Sequence, residues 1–465
     1  MDTDFKKPLA ETWKSFNPSS LERGPTDLNH EERHRDFMRQ ALELARLGVG
    51  LAAPNPYVGA LVVDPNGKIL GSGFHTYERI KHAEVIALEQ AQGKGASLKE
   101  ATLYLNLEPC CHQGRTGPCT EAITASGVKR VVTAMRDPNP IVDGRGIKQL
   151  RAAGIEVIEG VLQDEARKLN ESFAKYMRWH EPLVTLKAGM TLDGKIAPPP
   201  VQSGAALGSG GSGGPTGGWI TSETARAHVQ ELRHASDALM VGVGTIIADD
   251  PLLTDRSGRP RRRPLLRVIV DSRLRLPLES RVVKTVHDDL LVLCSFAEEK
   301  KKREFEARGI RVEQVAVAHV SPPAEVSHKI MHMPSRRRTG TGAPIVPETG
   351  AASADGRPDM RSMMARLAQM QITSLLIEGG ALVNWAALAA GVVDKLFLYY
   401  APKILAGMGS VPFARGAGFR HMGEAAYVRR VTIHHFGEDF AVEGYIRDPY
   451  DFALVANLEP MEEGY

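Results

Sequence analysis

The sequence predicts two consecutive α/β domains. Its 465 residues suffice for two or three folded units at roughly 100–200 residues per domain. Short apolar runs alternate with amphipathic helical runs twice along the chain, over 30–178 and again over 183–450. Such alternation is typical of a sheet covered by helices. A polar Trp-His-Glu-Pro stretch at 179–182 separates the two series, and we expect the domain boundary there.

The first series is expected to form a three-layer domain over 30–178, after a flexible polar tail at 1–29. Asn29 can cap a helix in which Phe37, Ala41 and Leu44 recur at helical spacing. An Asp-Pro-Asn-Gly turn at 64–67 favours a hairpin between two β-rich runs. The elements expected after this first helix are strands at 57–63 and 68–74, a helix at 82–92, a strand at 102–107, a helix after Pro118, a strand at 128–134, a helix near 146–153, a strand at 155–158 and a helix at 164–178.

The second series is expected to form a domain over 183–450 that contains two irregular segments. The Gly/Ser-rich stretch 201–218 predicts a flexible loop, and the Pro-, Gly-, Arg- and Ser-rich stretch at about 320–358 predicts a disordered insertion. The expected elements are a strand at 183–188, a helix at 222–234, strands at 238–241, 266–270 and 290–294, a helix at 300–308, a strand at 374–377, a helix from Gly380, and strands at 395–400, 428–434 and 441–446.

Composition narrows the class of protein. Hydrophobic residues make up 43% and charged residues 24%, which is typical of a globular chain. The 58 Lys and Arg residues against 55 Asp and Glu leave a charge of +3, too small to indicate a nucleic-acid or membrane-surface protein. Four cysteines in so long a chain indicate a metal or catalytic use in a reducing compartment. With no apolar run of membrane-spanning length and no export signal, we expect a cytoplasmic protein.

A candidate zinc centre lies in the first half. His82 and Glu84 begin a predicted helix, and cysteines follow at 110, 111 and 119. One imidazole and two thiolates leave the fourth tetrahedral position of zinc for water, which is the pattern of catalytic zinc. Zinc lowers the pKa of that water, and Glu84, two residues after His82, can shuttle protons without being a ligand. This H-x-E…P-C…C arrangement is typical of zinc nucleobase deaminases.

The choice among the cysteines has to be argued, because Cys110 and Cys111 are adjacent. Cys119 follows a proline and begins a predicted helix, whose N-terminus favours a thiolate. Cys110 also follows a proline, so we predict that His82, Cys110 and Cys119 bind zinc and that Cys111 is a packing residue. A structural zinc site, or two buried thiols beside a core histidine, is the alternative, but it would leave Glu84 without a role.

Two features of the second half, taken alone, are weak indications of a phosphate-binding turn. Gly242 and Gly244 follow an apolar strand, but Ile247 stands where the G-x-G-x-x-G motif needs its third glycine, so a simple tight turn explains them as well. The Glu-Gly-Gly sequence at 378–380 lies between a predicted strand and a predicted helix. Glycines in that position let backbone N–H groups approach a phosphate.

Taken together, the motifs resemble the family of bifunctional riboflavin-biosynthesis deaminase–reductases from about residue 30 to 450. In the first half these motifs are Asn55-Pro56-x-Val58-Gly59, His82-Ala83-Glu84, Glu108-Pro109-Cys110, Pro118-Cys119 and Arg136-Asp137-Pro138-Asn139-Pro140. In the second half they are Lys187-Ala188-Gly189, Trp219-Ile220-Thr221-Ser222, Gly244-Thr245, Ala248-Asp249-Asp250-Pro251, Glu378-Gly379-Gly380 and Ala401-Pro402-Lys403.

The resemblance implies a cytidine-deaminase-like first domain and a dihydrofolate-reductase-like second domain. The first would replace the 2-amino group of 2,5-diamino-6-(5-phosphoribosylamino)pyrimidinone with oxygen, and the second would use NADPH to reduce the ribosyl chain to ribityl phosphate. It also implies a small-molecule phosphoribosyl substrate, no nucleic-acid or membrane partner, and a homo-oligomer. The preference for NADPH comes from the family alone.

The resemblance also implies roles for particular residues. In the first half it agrees with the zinc ligands and acid/base given above, and the substrate would contact Asn55, His75, His112 and Arg115. Arginine suits a bidentate phosphate contact. In the second half, Lys187 would lie near the reacting sugar and act as the catalytic residue. NADPH would contact Gly189, Trp219, Thr245, Asp249, Ser272 and the segment from Gly380, and the substrate Arg233, Leu253, Arg256 and Glu378.

Simpler interpretations compete with several of these roles. The first-half substrate residues could be turn or solvated surface residues. Arg233 ends a predicted helix and could simply favour its dipole, while Trp219 could be a core residue. The chain also departs from the family pattern at Cys111 and Gly217, where serines are expected, and in its long Gly/Ser stretch before Trp219.

Two other functions fit parts of the sequence. A nucleic-acid base deaminase with an accessory domain would share the metal motif, but near-neutral charge and eight residues between Cys110 and Cys119, where two are typical, argue against it. Arg233 and Arg256, which the resemblance implies anchor the substrate phosphate in the second half, argue against it too. A non-enzymatic deaminase-like scaffold is expected to have lost its acid/base, yet Glu84 is present.

Overall fold

A five-stranded sheet forms the centre of the first half. The computed structural model describes residues 30–114, 117–199, 218–317 and 356–451. The strands β1–β5 have the order β2-β1-β3-β4-β5, with β1 antiparallel to both β2 and β3 and the other pairs parallel. The predicted hairpin is therefore confirmed. The strands are β1 (Gly59–Val63), β2 (Ile69–Phe74), β3 (Thr102–Leu107), β4 (Arg130–Met135) and β5 (Glu156–Ile158).

Helices cover both faces of this sheet and complete the predicted three layers. They are α1 (His30–Arg46), α2 (Ala83–Gly93), α3 (Cys119–Ser126), α4 (Arg145–Ala152), α5 (Gln163–Leu169) and α6 (Glu171–Trp179). One core packs α1, α5 and α6 against one face, around Phe37 and Leu61. The other packs α2, α3 and α4 against the opposite face, around Leu88 and Leu103. The period-2 alternation of the strands supplies an apolar side chain to each core.

The single helix expected over 164–178 is wrong: the chain forms two helices that meet at Asn170. Asn170 is completely buried. Its Oδ1 accepts a hydrogen bond from the amide N–H of Tyr57 at 2.8 Å, and its Nδ2 donates to the carbonyl of Tyr57 at 3.1 Å. Buried backbone groups need partners, so a side chain distant in sequence interrupts the helix to satisfy this loop.

The second half contains a nine-stranded sheet with the order β11-β10-β9-β8-β12-β6-β13-β16-β15. The seven strands from β11 to β13 are parallel, and β16 and β15 continue the sheet as an antiparallel hairpin. The strands are β6 (Leu183–Thr191), β8 (Ala238–Gly242), β9 (Leu266–Val270), β10 (Leu290–Cys294), β11 (Arg311–Gln314), β12 (Ser374–Ile377), β13 (Lys395–Ala401), β15 (Arg429–Phe436) and β16 (Asp439–Tyr445); a separate ribbon pairs β7 (Lys195–Ala197) with β14 (Val411–Pro412).

Helices pack on both faces of this sheet too, so the α/β class predicted for the second half is confirmed. They are α7 (Glu223–Ala235), α8 (Val243–Asp249), α9 (Arg281–Lys284), α10 (Glu299–Glu306), α11 (Met360–Gln369) and α12 (Ala381–Ala389). The helix α8 was not expected, because its Gly244 and β-branched residues have low helix propensity. Buried Val243 and Ile246 stabilise it through packing instead.

Some expectations fall on segments outside the described residues. These are the tail at 1–29, residues 201–217 of the expected loop, and 320–355 of the expected insertion. Val317 and Pro358, which lie at the two ends of this last gap, form an isolated antiparallel bridge. No helix in the described part of the chain combines the length and apolarity that a membrane crossing requires.

Candidate active sites

The predicted metal ligands come together from three separate elements. His82 immediately precedes α2, Cys119 is the first residue of α3, and Cys110 lies in the loop after β3. The Nδ1 atom of His82 is 3.0 Å from the Sγ atom of Cys119 and 3.6 Å from that of Cys110. All three donor atoms lie within 4.8 Å of one another, and among the described residues no other group of three or more potential ligands does so.

The chemistry of these donors fits zinc. The Cys119 and His82 side chains hydrogen-bond to Cys110 and lower the pKa of the Cys110 thiol, which favours a thiolate at that position. Two sulfurs and one imidazole are ligands that zinc prefers. Glu84 is only 4% exposed, and its Oε2 atom has no hydrogen-bond partner among the described residues. Burial raises the pKa of Glu84, as expected for a carboxyl group that exchanges protons with a bound ligand.

Two of the four residues expected to hold the deaminase substrate, Asn55 and His75, lie beside this cluster. The Nδ2 atom of Asn55 and the Nε2 atom of His75 are 2.9 Å apart, and the His75 ring meets the His82 ring edge-on at 5.4 Å. The Nδ1 atom of His112 is buried without a hydrogen-bond partner in the described part of the chain. Arg115 lies outside the described residues. The structure therefore brings His75 directly to the cluster and Asn55 to His75, and it leaves His112 with an unused polar atom.

Sequence reasoning gave no role to Glu108. This residue holds in place the Pro109-Cys110 segment, which we call the zinc loop. This carboxylate is 2% exposed and accepts hydrogen bonds from the amides of Asp137 (3.1 Å), Gly144 (2.8 Å) and Ile147 (3.1 Å). A Cβ atom at Gly146 would lie 2.2 Å from the carbonyl oxygen of Pro109, so α4 approaches the zinc loop very closely. An acid between an apolar strand and a Pro-Cys pair was the signal in the sequence.

We expect Cys110→Ser and Cys119→Ser each to remove most of the zinc from the protein, because serine is a poor zinc ligand near neutral pH. Cys111→Ser is the matched control, since Cys111 is adjacent but outside the cluster. Elemental analysis after dialysis against a weak chelator checks this expectation. Loss of zinc from the Cys111 variant, with zinc retained by the Cys110 variant, would reverse our choice of ligand.

A buried charge cluster forms the second candidate site, at the carboxyl end of β12. Glu378 receives two hydrogen bonds from Arg233, Nε to Oε1 at 2.6 Å and Nη2 to Oε2 at 2.9 Å. The Lys187 ammonium lies 3.6 Å from Oε2 of the same carboxylate. Burial alone would raise the pKa of Glu378, but Lys187 and Arg233 outweigh it and lower the pKa to about 2. Burial also lowers the pKa of Lys187.

Arg233, which the resemblance implies contacts the substrate, makes its contacts in this structure with other protein groups. Besides its two bonds to Glu378, its Nη1 atom donates to the carbonyl of Thr254 at 2.9 Å. Three of its five N–H groups are thereby committed. Its side chain is also nearly buried, so it is more than a residue that favours the dipole of α7. We infer that Arg233 holds Glu378 in place, and that exposed Arg256 is the freer cation.

Two helix N-termini and a pair of glycines form a cradle beside this cluster. The helix α8 begins directly after β8, and three residues separate α12 from β12, the adjacent parallel strand. Gly379 and Gly380 have φ angles of +104° and +83°, which other residues rarely adopt. A Cβ atom at Gly380 would lie 3.2 Å from the Oγ1 atom of Thr245. This close approach of bare backbone suits the phosphates of a dinucleotide.

The other residues expected to hold the cofactor or the reductase substrate lie in more varied places. Trp219 is 56% exposed, so its interpretation as a core residue is wrong; the Arg226 guanidinium lies 4.8 Å over its ring. Leu253 packs its side chain in the core, which leaves only its backbone for a ligand. The remaining residues are Gly189, whose Cα faces Thr221, Asp249 at the end of α8, and half-buried Ser272 just after β9.

A tyrosine–histidine pair beside Lys187 was missed. The Tyr399 hydroxyl and the Nδ1 atom of His228 are 2.6 Å apart, and the Lys187 ammonium lies 5.9 Å from the centre of the Tyr399 ring. Tyr399 is on β13, which pairs with β6, the strand that carries Lys187. An aromatic residue on a strand is usually a core residue, so the sequence alone gave no reason to place it in the site.

Both halves of the chain match known families. The first half matches the cytidine and deoxycytidylate deaminase zinc-binding region over residues 31–135, and the second half matches the RibD C-terminal domain over residues 182–442. Proteins called riboflavin biosynthesis protein RibD are similar over nearly their full length. That of Actinobacillus pleuropneumoniae is 35% identical over 433 residues, which cover 93% of this chain and 98% of the relative. That of Escherichia coli strain K12 is 34% identical, with 87% and 96% covered.

Solved structures show the same similarity. A structure of RibD from Acinetobacter baumannii is 31% identical, with a TM-score of 0.66, and the match covers 90% of this chain and 99% of the other. A Thermotoga maritima protein described as a diaminohydroxyphosphoribosylaminopyrimidine deaminase/5-amino-6-(5-phosphoribosylamino)uracil reductase is 32% identical, with a TM-score of 0.67 and the same coverage.

Proposed function

This chain belongs to the RibD family of riboflavin biosynthesis proteins, and from that premise we propose that it catalyses two reactions with two separate sites. The first is hydrolytic deamination of 2,5-diamino-6-(5-phosphoribosylamino)pyrimidin-4(3H)-one. The second is NADPH-dependent reduction of the ribosyl chain to ribityl phosphate. We assign deamination to residues 30–178 and reduction to 183–450. The observation that carries the first assignment is the His82, Cys110 and Cys119 cluster with buried Glu84 beside it.

In deamination, His82, Cys110 and Cys119 would hold zinc, which when bound supplies the Lewis acidity that activates water near neutral pH. Glu84 accepts the proton of the attacking water and returns it to the amino group, which leaves as ammonia. Asn55 and His75 orient the ring and sugar from one side. Glu108 keeps the Pro109-Cys110 segment fixed against α4, so that the three ligand side chains do not have to move when they bind the metal.

In reduction, the cradle of Thr245, Gly379 and Gly380 would hold NADPH, which when bound supplies the hydride. The sugar ring has to open so that its C1′ atom can be reduced. Lys187, whose ammonium lies beside Glu378, would hydrogen-bond the sugar oxygen while the ring opens. Arg233 fixes Glu378, and Glu378 in turn favours the charged form of Lys187, against the effect of burial, which lowers the pKa of Lys187.

The alternative functions are less well supported. A nucleic-acid deaminase needs a cationic surface, and the net charge is only +3. A scaffold without activity would not preserve a buried carboxyl group with an unsatisfied oxygen beside three metal-type donors, because that arrangement costs stability. Both observations favour an enzyme that acts on a small molecule.

Purified protein and the diaminopyrimidine phosphate test the proposal directly. We expect zinc-dependent release of ammonia, which stops when a chelator removes the metal and returns when zinc is added. The deaminated product, supplied separately with NADPH, should be reduced whether or not the chelator is present. No ammonia release by zinc-loaded protein would overturn the first assignment, and no NADPH oxidation would overturn the second.

We also propose that the protein is a cytoplasmic homo-oligomer. The strand β15 is the outer edge of the nine-stranded sheet, and its Val431 and Ile433 are more than half exposed. An exposed edge strand with apolar side chains is a common surface for association between copies.

A further inference from the structure

One loop of the reductase half, residues 253–263, lies against the deaminase half; we call it the connecting loop. The backbone N–H of Arg262 donates to the carbonyl of Gly50 at 2.8 Å, and the Arg262 guanidinium lies 3.9 Å from the centre of the Tyr77 ring. Gly50 has a φ of +78°, and a Cβ atom there would lie 3.0 Å from the His234 ring and 3.3 Å from the Pro260 carbonyl. The two surfaces are thus in close contact.

On the deaminase side, these contacts fall on the two loops that carry its site residues. Tyr77 lies between His75 and the zinc ligand His82, and its N–H donates to the carbonyl of Leu51 at 3.0 Å. The Leu51 segment continues to Asn55, which contacts His75. Arg262 therefore contacts both loops, the one with Gly50 and the one with Tyr77. In the described part of the chain it contacts neither a metal ligand nor Glu84.

On the reductase side, the connecting loop is fixed to the helix end that carries Arg233. The Nη1 atom of Arg261 donates to the carbonyls of Arg233 (3.1 Å) and His234 (2.8 Å) at the C-terminus of α7. Asp255 accepts hydrogen bonds from both Arg261 (3.2 Å) and His234 (2.9 Å). The carbonyl of Thr254 accepts a hydrogen bond from Arg233 itself.

We propose that the connecting loop is shared by the two substrate sites, and that Arg262 of the reductase half is a positioning residue for deamination. The inference rests on the proposed deaminase function. Its physical basis is that the Arg262 guanidinium, stacked on the Tyr77 ring, fixes a loop whose neighbouring residues, Asn55 and His75, would hold the substrate. Because Asn55 and His75 would bind substrate and transition state alike, a displaced loop raises KM more than it lowers kcat.

Arg262→Met tests this, since methionine keeps much of the apolar stem and removes the charge. We expect the KM of deamination to rise about threefold to fivefold, the scale of a lost cation–π contact at a partly exposed site. The kcat of deamination, the zinc content and the rate of reduction of separately supplied product should stay within about twofold of wild type. No contact in the described part of the chain joins Arg262 to Glu84, to a metal ligand or to Lys187. Arg262→Lys keeps a cation over Tyr77 and should restore much of the KM.

The matched control is Arg259→Met. Arg259 is on the same loop, but it is exposed and pairs with Glu231 of its own half. Its removal should leave deamination unchanged. From the other side of the contact, Tyr77→Leu should raise KM as Arg262→Met does, while Tyr77→Phe, which keeps the ring, should not.

A double variant tests whether the loop couples the two sites. Asp255→Asn loosens the hydrogen bonds at the reductase end of the loop and should also raise the KM of deamination. The double variant of Asp255→Asn and Arg262→Met should have a KM of deamination little above that of either single variant. Both changes break the same connection between the two sites. An unchanged KM in Arg262→Met, or additive effects in the double variant, would overturn the inference. A wild-type protein that releases no ammonia would instead overturn the proposed function.

Discussion

Glu84→Gln is expected to abolish deamination and to leave reduction intact. The amide has nearly the shape of the carboxyl group, but it cannot accept a proton from water and return it to the leaving amine. Loss of a general acid/base lowers kcat by about 10²–10⁴-fold. Glu84 is buried beside the cluster and is not among its three donors, so zinc content should stay unchanged. Ammonia release, zinc analysis and NADPH oxidation on one preparation measure all three quantities.

The control for this prediction is Glu89→Gln on the same helix. Glu89 is about half exposed, and its pair with Lys81 is of the surface kind that contributes about 1 kcal/mol or less. It should deaminate like wild type. If the Glu84 variant with a full complement of zinc kept more than about a tenth of the wild-type kcat, another group would have to carry the proton.

The metal centre could be predicted from the sequence because its signals are local. His82 and Glu84 are two residues apart, and both chosen cysteines follow a proline at the start of a loop or helix. The role of Glu108 could not be predicted in this way. Its three amide donors lie 29, 36 and 39 residues further along the chain, and only the fold brings them together.

The same distinction explains the errors in the fold. Most strands were found because their residues are apolar and β-branched, which is a property of the segment itself. The break at Asn170 depends on Tyr57, 113 residues away, and α8 depends on packing that overrides its low propensity. In the second site, Lys187 and Glu378 came from the family resemblance, while Tyr399 and His228 became visible only when β13 was placed beside β6.

Glu378→Gln is expected to abolish reduction and to destabilise the reductase half. The change removes the carboxylate that pairs with both Lys187 and Arg233 in a site where both are nearly buried. Removing one partner of a buried ion pair costs about 3–5 kcal/mol, because the remaining charge stays desolvated. Without the carboxylate, Lys187 also loses the group that favours its charged form. Denaturant titration and NADPH oxidation with supplied product measure the two effects, while ammonia release should persist under native conditions.

The pH dependence gives this prediction a second and independent measurement. The pKa of Glu378 is about 2 in the folded protein, below its ordinary value of 4.5. A lowered pKa means that its stabilising contribution is fully present above about pH 4.5 and is lost as the pH falls towards 2. The difference in stability between wild type and Glu378→Gln should therefore be largest near neutrality and shrink on acidification.

Glu313→Gln is the matched control, because Glu313 makes the same two-point contact with Arg366 at a partly exposed site. It should cost about 1 kcal/mol or less; an equal loss in both variants would show that burial does not set the strength of the Glu378 cluster.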